Sequence, residues 1–271
     1  MSKTFVIAEA GSNHEGSLDK ALELIDIAVE CGADVCKFQF WSSSTRLAER
    51  RHAPDYLQGY MKYRMPQEWL VKLSNHCAEK NIAFMATTYL PEDIQVVDPF
   101  VNRFKIASFE ATDEEFIRAH RTFHKPVIIS TGMMDNSDLW ALRNLIRVEN
   151  IDATLLHCVS SYPAPLEAVN LNALGRYSYN DGRSLGLHGF SDHTGEMNMG
   201  AFAVIKGAEI VEVHFRNYHT TKTSPDFRVS LLPYQLHHYI YTIRRAEIIL
   251  GDPIKKQQPC EKEMAKYRVM G

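Results

Sequence analysis

The chain predicts an α/β fold, a closed (β/α)8 TIM barrel, and three observations carry that expectation. Eight short apolar, β-branched runs punctuate the sequence, amphipathic stretches separate them, and the 271 residues come close to the roughly 250 that such a barrel uses as one domain. Continuous apolar runs each followed by a helical pattern imply a parallel sheet buried on both faces. An open doubly wound sheet is the competing architecture. The first run lacks the Gly-x-Gly-x-x-Gly that would favour it.

The first strand is read at residues 4–8. The amphipathic stretch 18–31 follows, with Leu22, Leu24, Ile25, Ile27 and Ala28 at helical spacing and Ser17 as its start signal. The second strand is read at 35–40. Residues 41–64 then break the alternation with Arg46, Arg50, Arg51, His52, Tyr56, Tyr60 and Tyr63, and are expected to arch over the barrel mouth as an irregular functional segment. A helix at 67–80, with Pro66 in its first turn, leads to a strand at 83–87. Helix 91–97 leads to strand 103–107, and helix 113–123 to strand 126–130. Ser137 opens a helix at 137–148 ahead of strand 153–158. Helix 170–177 precedes strand 184–190, and helix 197–206 precedes strand 209–214. A second irregular stretch at 216–228 follows the eighth strand, and a long helix at 233–250 closes the set. Residues 1–251 therefore read as one barrel domain, and 252–271, which turn polar, as a tail or truncated linker.

With 30 Lys plus Arg against 33 Asp plus Glu, the formal charge of -3 supplies no electrostatic attraction to nucleic acid or an anionic membrane. A small-molecule partner is the expectation. The start of the chain enters a strand pattern at once, without the apolar core and cleavage site of a signal peptide, and no run approaches about 20 apolar residues. A cytoplasmic protein is expected. Cys31, Cys36, Cys77, Cys158 and Cys260 lack Cys-x-x-Cys spacing and read as reduced thiols, buried and structural for Cys36 and Cys158.

In a parallel barrel, residues at the ends of strands gather on the carboxyl rim. His193 and His214 close two of the apolar runs and come near enough there to share one divalent metal. Glu9, Lys37, Lys105, Ser108, Ser130 and His157 sit at or just past other strand ends and join them. Each has a blander reading alone: a lone lysine is usually solvated, a serine at a strand end is often a turn or cap, and a histidine can be packed in the core. His157 is read as orienting a neighbour.

Six motifs, taken in order, resemble the sialic acid synthase family: Ile-Ala-Glu-Ala-Gly-Ser-Asn-His-Glu-Gly (7–16), Gly-Ala-Asp-Val-Cys-Lys-Phe-Gln (32–39), Phe-Lys-Ile-Ala-Ser (104–108), Lys-Pro-Val-Ile-Ile-Ser-Thr-Gly-Met (125–133), Leu-Leu-His-Cys-Val-Ser-Ser-Tyr-Pro (155–163) and Ser-Asp-His-Thr (191–194). The resemblance spans nearly the whole chain. It implies a TIM barrel that condenses phosphoenolpyruvate (PEP) with a sugar aldehyde, N-acetylmannosamine or a related aldose, to give a sialic-acid-like 3-deoxy-2-ulosonic acid and phosphate. It also implies a divalent metal, Mn²⁺ or Mg²⁺, held by His193 and His214 with substrate or water oxygens completing the shell.

On this reading Lys37 and Lys105 meet the charges of PEP, and Ser108, Ser130, Ser160 and Ser191 donate to its phosphate. Glu9 and Asp226 act at the aldehyde, and Glu110 serves proton transfer, a loop or helix-capping role being its alternative. Gln39, Thr87, Tyr162 and Asn13 are counted as further substrate-binding positions. The metal polarises the aldehyde oxygen for attack by C3 of PEP while water adds at C2.

The chain also departs from the family pattern. Family members usually carry a C-terminal antifreeze-like domain that lends an arginine to the partner subunit's sugar, and a basic residue precedes the second metal histidine. Here Val213 precedes His214, and Thr-Ser-Pro-Asp (223–226) replaces Pro-Gly-Pro-Asp. The domain's absence is read as a cut, a natural short form, or a part supplied by a separate chain, and a homodimer is carried over only from the resemblance. Arg46, Arg50 or Arg51 is expected to help bind the acceptor instead. Two other readings stay open: a synthase using a phosphorylated aldose, and a barrel kept as a binding or scaffold subunit.

Overall fold

The computed structural model describes residues 3–175 and 186–269. Eight parallel strands close into a barrel in sequential order: β1 (Phe5–Gly11), β2 (Val35–Phe40), β3 (Ala83–Thr88), β4 (Phe104–Ile106), β5 (Val127–Ser130), β6 (Ala153–Cys158), β7 (Leu187–Asp192) and β8 (Ile210–His214), with β8 pairing back to β1. Helices α1 (Leu18–Glu30), α2 (Ser44–Arg50), α3 (Leu57–Lys62), α4 (Trp69–Glu79), α5 (Pro91–Val97), α6 (Glu114–Arg121), α7 (Asn136–Val148), α8 (Leu166–Val169), α9 (Met199–Ile205) and α10 (Pro233–Leu250) join them. The barrel expected from the alternation is present.

Local chemistry starts and orients the helices. Ser17 caps α1 by accepting from the Lys20 amide, and α1 turns Ala21, Leu24, Ile25, Ile27 and Ala28 inward. Asp113 caps α6, and Asp135 with Asp138 forms a capping box on α7, one residue ahead of the expected Ser137 start.

Period-two alternation organises the interior. Ile7, Val35, Met85, Ile128, Leu156 and Ile210 fill the barrel as one buried apolar cluster. Two residues further along the same strands stand Glu9, Lys37, Thr87, Ser130, Cys158 and Glu212. The apolar plug is therefore followed, one inward step towards the carboxyl rim, by a polar layer. The outward-facing positions, among them Val6, Ala8, Phe38, Phe104 and Ile129, join the larger core under the helices.

Several expectations are corrected. Residues 41–64 are not an irregular loop: they form α2, a 3-10 turn at Pro54–Tyr56, and α3. Trp41, Leu47, Ala48, Tyr60 and Tyr63 pack with Tyr89 and Leu90 into a second apolar cluster over the mouth. The helix expected at 170–177 is replaced by α8 and a 3-10 turn at Leu171–Ala173, separated by Asn170 in left-handed conformation (φ 45°), and residues 176–177 lie outside the described ones. Strand seven begins at Leu187 and extends to Asp192; the expected start at Ser184 lies outside the described residues. Residues 251–269 are exposed throughout and carry two 3-10 turns. Among the described residues no helix is long and apolar enough to cross a membrane. Cys31, Cys36, Cys77 and Cys158 are buried free thiols, and Cys260 is exposed.

Candidate active site

A cavity of about 360 Å³ opens at the carboxyl rim, floored by the polar layer and roofed by α2, α3 and the β8 loop. Its floor is a buried ion network. Lys37 Nζ lies 2.5 Å from Glu9 and 3.5 Å from Glu212 and donates to Thr87 Oγ1 at 2.8 Å. Lys105 Nζ lies 3.4 Å from Glu212 and donates to Ser130 Oγ at 2.8 Å. Ser191 Oγ donates to Glu212 Oε1 at 2.9 Å, and Gln39 Nε2 to Glu9 Oε1 at 3.1 Å. Burial raises the Glu9 carboxyl to about 7 despite Lys37, whereas Lys105 and Lys37 overcome the burial of Glu212 and hold it down, at about 2. Burial would lower both lysines. Glu212 and Glu9 outweigh it and raise Lys37, while for Lys105 burial prevails and the ammonium is lowered.

Sequence reasoning missed Glu212, the carboxylate both lysines share. The signal was present in Ile-Val-Glu-Val-His: a charge in an apolar strand run, two residues before His214 and hence on the same inward face.

Beside the floor lies a hydroxyl cradle. The Gly132 amide donates to Ser108 Oγ at 3.0 Å, and Ser160 Oγ is buried without a hydrogen-bond partner. A Cβ at Gly132 would collide with Ser160 Oγ and crowd Ser108 Oγ, so glycine keeps this space open. An unpaired buried hydroxyl costs free energy unless something binds it.

The two imidazoles meet on the rim with ring centroids 5.3 Å apart. His193 Nδ1 lies 2.9 Å from the Val159 carbonyl and 3.6 Å from Cys158 Sγ, and Tyr162 stacks on the ring at 4.3 Å. Burial would lower His193, but Cys158 and the Val159 carbonyl outweigh it and raise the ring to about 9. Burial depresses His214 to about 4 despite Asp226. His214 Nδ1 is buried without a hydrogen-bond partner and stands 3.6 Å from Asp226 Oδ1. Asp226 Oδ2 accepts from the Ser12 amide at 2.8 Å. Gly11 permits this approach: its φ is +52°, and a Cβ there would strike the Asp226 carboxylate.

Glu9, Lys37, Gln39, Thr87, Lys105, Ser108, Ser130, Tyr162, Ser191, His193, His214 and Asp226 all line the cavity. Five expected residues fall elsewhere. Asn13 is turned into the β8 loop, donating to the Phe215 carbonyl and Ser230 Oγ and accepting from Ser224 Oγ, so its amide ties the backbone. Glu110 stands behind the wall with its Oε1 held by Arg51 at 2.7 and 3.0 Å. Arg46 pairs with Glu92, and Arg50 pairs with Asp113 at 2.6 Å while lying over Phe116; of the three arginines, Arg51 lines the cavity. His157 lies 2.7 Å from the Val169 carbonyl, anchoring the end of α8.

Fold and site together define a (β/α)8 enzyme with a cation-lined floor, a hydroxyl cradle and a pair of rim histidines. A family model described as the NeuB family matches residues 24–255, and the chain belongs to that family. It is 33% identical over 280 residues to N,N'-diacetyllegionaminic acid synthase of Campylobacter jejuni, an alignment covering 97% of this chain and 82% of that protein. It is 29% identical to human N-acetylneuraminate-9-phosphate synthase over 95% of this chain and 74% of that one. Among solved structures, the N-acetylneuraminic acid synthetase of Leptospira borgpetersenii in complex with citrate superposes with a TM-score of 0.86 at 29% identity, covering 98% of this chain and 92% of that one.

Proposed function

We propose that this barrel condenses PEP with an aldose to give a sialic-acid-like 3-deoxy-2-ulosonic acid and inorganic phosphate. The observation that carries the proposal is the cradle of Ser108, Ser130, Gly132 and the unpartnered Ser160 hydroxyl beside Lys105, which suits a phosphate ester. The named relatives, synthases of N,N'-diacetyllegionaminic acid, N-acetylneuraminate 9-phosphate and N-acetylneuraminic acid, support the same reading.

In the reaction C3 of PEP forms a bond to the aldehyde carbon, water adds at C2, and the C2–O bond to phosphate breaks. Lys105 and the serines hold the phosphate, and Lys37 faces the carboxylate of PEP. Glu9 and Asp226, both lining the cavity, are assigned to the aldehyde. Glu110 is assigned to holding Arg51, whose Nε and Nη2 both donate to its Oε1.

His193 and His214 fit a divalent ion, Mn²⁺ or Mg²⁺. Their rings converge and His214 Nδ1 has no protein partner, and two imidazoles leave the remaining positions to substrate and water oxygens. When bound, the ion supplies Lewis-acid polarisation of the aldehyde oxygen.

The test is phosphate release from PEP with Mn²⁺ against a panel of free and phosphorylated aldoses, with His214→Ala as control. Aldose-dependent release that the variant lacks supports the proposal; release with no aldose on the panel refutes it.

A further inference from the structure

Strand β7 closes with Ser191 and Asp192, His193 follows, and period two sends successive side chains to alternate sides of the sheet. Ser191 and His193 face the cavity. Asp192, 1% exposed, turns the other way, towards α10. Val213, its neighbour in the β7–β8 register, brings no charge to it. Three donors hold the carboxylate: Oδ1 accepts from the Thr194 amide at 2.8 Å and from Thr194 Oγ1 at 2.7 Å, and Oδ2 accepts from Tyr239 Oη at 2.8 Å. The first two close a turn across His193, and the third reaches in from an outer helix 47 residues further along the chain.

That turn sets how His193 leaves the strand. On its other side the residue is held by the segment after β6: Nδ1 lies 2.9 Å from the Val159 carbonyl, Tyr162 stacks on the ring, and the His193 carbonyl accepts from the Ala164 amide at 2.8 Å. Thr194 Oγ1 in turn accepts from the Glu196 amide at 3.0 Å, which carries the turn into the segment before α9. A carboxylate this deeply buried has no water to replace a lost donor. Without the Tyr239 hydroxyl it would have to rotate towards its remaining donors, both on Thr194, and move the turn that contains His193.

The packing keeps Tyr239 in register with this carboxylate. Its side chain is fully buried, and Gly200 on α9 leaves the room its ring needs: a Cβ there would stand 2.4 Å from Cε1 and 2.6 Å from Cζ. Phenylalanine would fill the same space. What tyrosine adds is the hydroxyl, and the acceptor of that hydroxyl adjoins a rim histidine.

We propose that Tyr239, acting through Asp192 and the Thr194 turn, is a positioning residue for His193. The proposal rests on His193 and His214 as the holders of the divalent ion. It makes the α9–α10 layer, remote from the cavity, part of what sets ion affinity at the rim.

The experiment is calorimetry in which Mn²⁺ is titrated into the metal-free full chain, comparing the unaltered protein with Tyr239→Phe, each below its own unfolding midpoint. Leu145→Ala on α7 is the control for destabilisation alone, because Leu145 is buried in the core under the helices and touches neither histidine. Tyr239→Phe is expected to weaken Mn²⁺ binding about tenfold or more, and Leu145→Ala to leave it within about twofold. Should Tyr239→Phe fail to fold, Thr194→Val tests the other end of the relay, with the same loss expected. Unchanged affinity in Tyr239→Phe, or in Thr194→Val where that variant decides, overturns the proposal, as does an equal loss in Leu145→Ala. Tight Mn²⁺ binding that the variants share with the unaltered protein would remove the positioning role and leave the metal reading standing. No Mn²⁺ binding by the unaltered protein would overturn both, and aldose-dependent phosphate release, assayed separately, judges the condensation itself.

Discussion

Replacing Lys37 by methionine tests the buried ion network directly, because the two residues have similar length and the change removes the ammonium with little else. Lys37 is 3% exposed and Glu9 1%, and the lysine contacts Glu9, Glu212 and Thr87 at once. Its loss leaves two carboxylates facing each other with Lys105 as their nearby cation, and breaking a buried pair in this way costs about 3 to 5 kcal/mol. For a chain of this size that corresponds to a drop in Tm of roughly 6 to 20 °C. Glu9 supplies an internal check. Its carboxyl is already raised to about 7 by burial, and losing Lys37 raises it further. A carboxyl raised in the folded state favours folding while protonated and loses that contribution as pH climbs through its folded value, so the unaltered protein and the variant lose stability in parallel up to about pH 7 and the cost of Lys37→Met should grow above it. The measurement is urea unfolding of the metal-free protein at several pH values, with Glu9→Gln and the double variant completing a cycle. The double variant should recover about 2 kcal/mol relative to the sum of the single changes. A cost below about 1 kcal/mol for Lys37→Met, or strict additivity in the cycle, would refute the network as described.

Three further outcomes follow from other contacts. Tyr239→Phe removes the hydroxyl that donates to the buried Asp192 carboxylate at 2.8 Å and should cost about 1.5 to 3 kcal/mol in denaturant unfolding; an unchanged midpoint would show that Asp192 does not need that donor. Gly132→Ala fills the cradle against Ser160 and Ser108, so calorimetry should show PEP affinity falling about tenfold or more, and unaltered affinity would place the phosphate elsewhere. His14 and His120 are each lowered to about 4 by burial, so their folded forms stay neutral while the unfolded chain takes up protons near the ordinary histidine value of about 6.5. Stability is intact above pH 6.5 and falls towards pH 4, by about 2 kcal/mol at pH 5 for each ring. The loss on going from pH 7 to pH 5 should shrink by that amount in His120→Gln, and an identical slope in the variant would contradict the assignment.

The barrel was legible because its strands are buried on both faces, so each reads as an apolar run whatever it packs against. The polar layer was legible for a related reason: Lys37, Lys105, Ser130 and His214 interrupt or close those runs, and period two sends each to the same side as the apolar plug beneath it. Glu212 obeys that rule equally, two residues before His214 and on the same face of β8. The helices α2 and α3 were hidden by their brevity, at 7 and 6 residues, too few turns to display a 3.6-residue period. Asn13 and Glu110 lie inside or beside family-like motifs, yet their side chains are used by the β8 loop and by Arg51, partners 202 to 217 and 59 residues away in sequence.

The sequence by itself determined the α/β barrel, the rim position of the floor lysines and the two histidines, and the family to which the chain belongs, since all three depend on local periodicity or contiguous motifs. Which arginine enters the cavity, which carboxylates bind cations and which remain available, and how charge is balanced around the acceptor were decided by the tertiary structure. Arg46, Arg50 and Arg51 are near neighbours on one chain segment with the same side chain. They differ in what the folded barrel sets opposite them, Glu92, Asp113 or Glu110, and electrostatic pairing at a few ångströms is invisible until distant strands have been brought together.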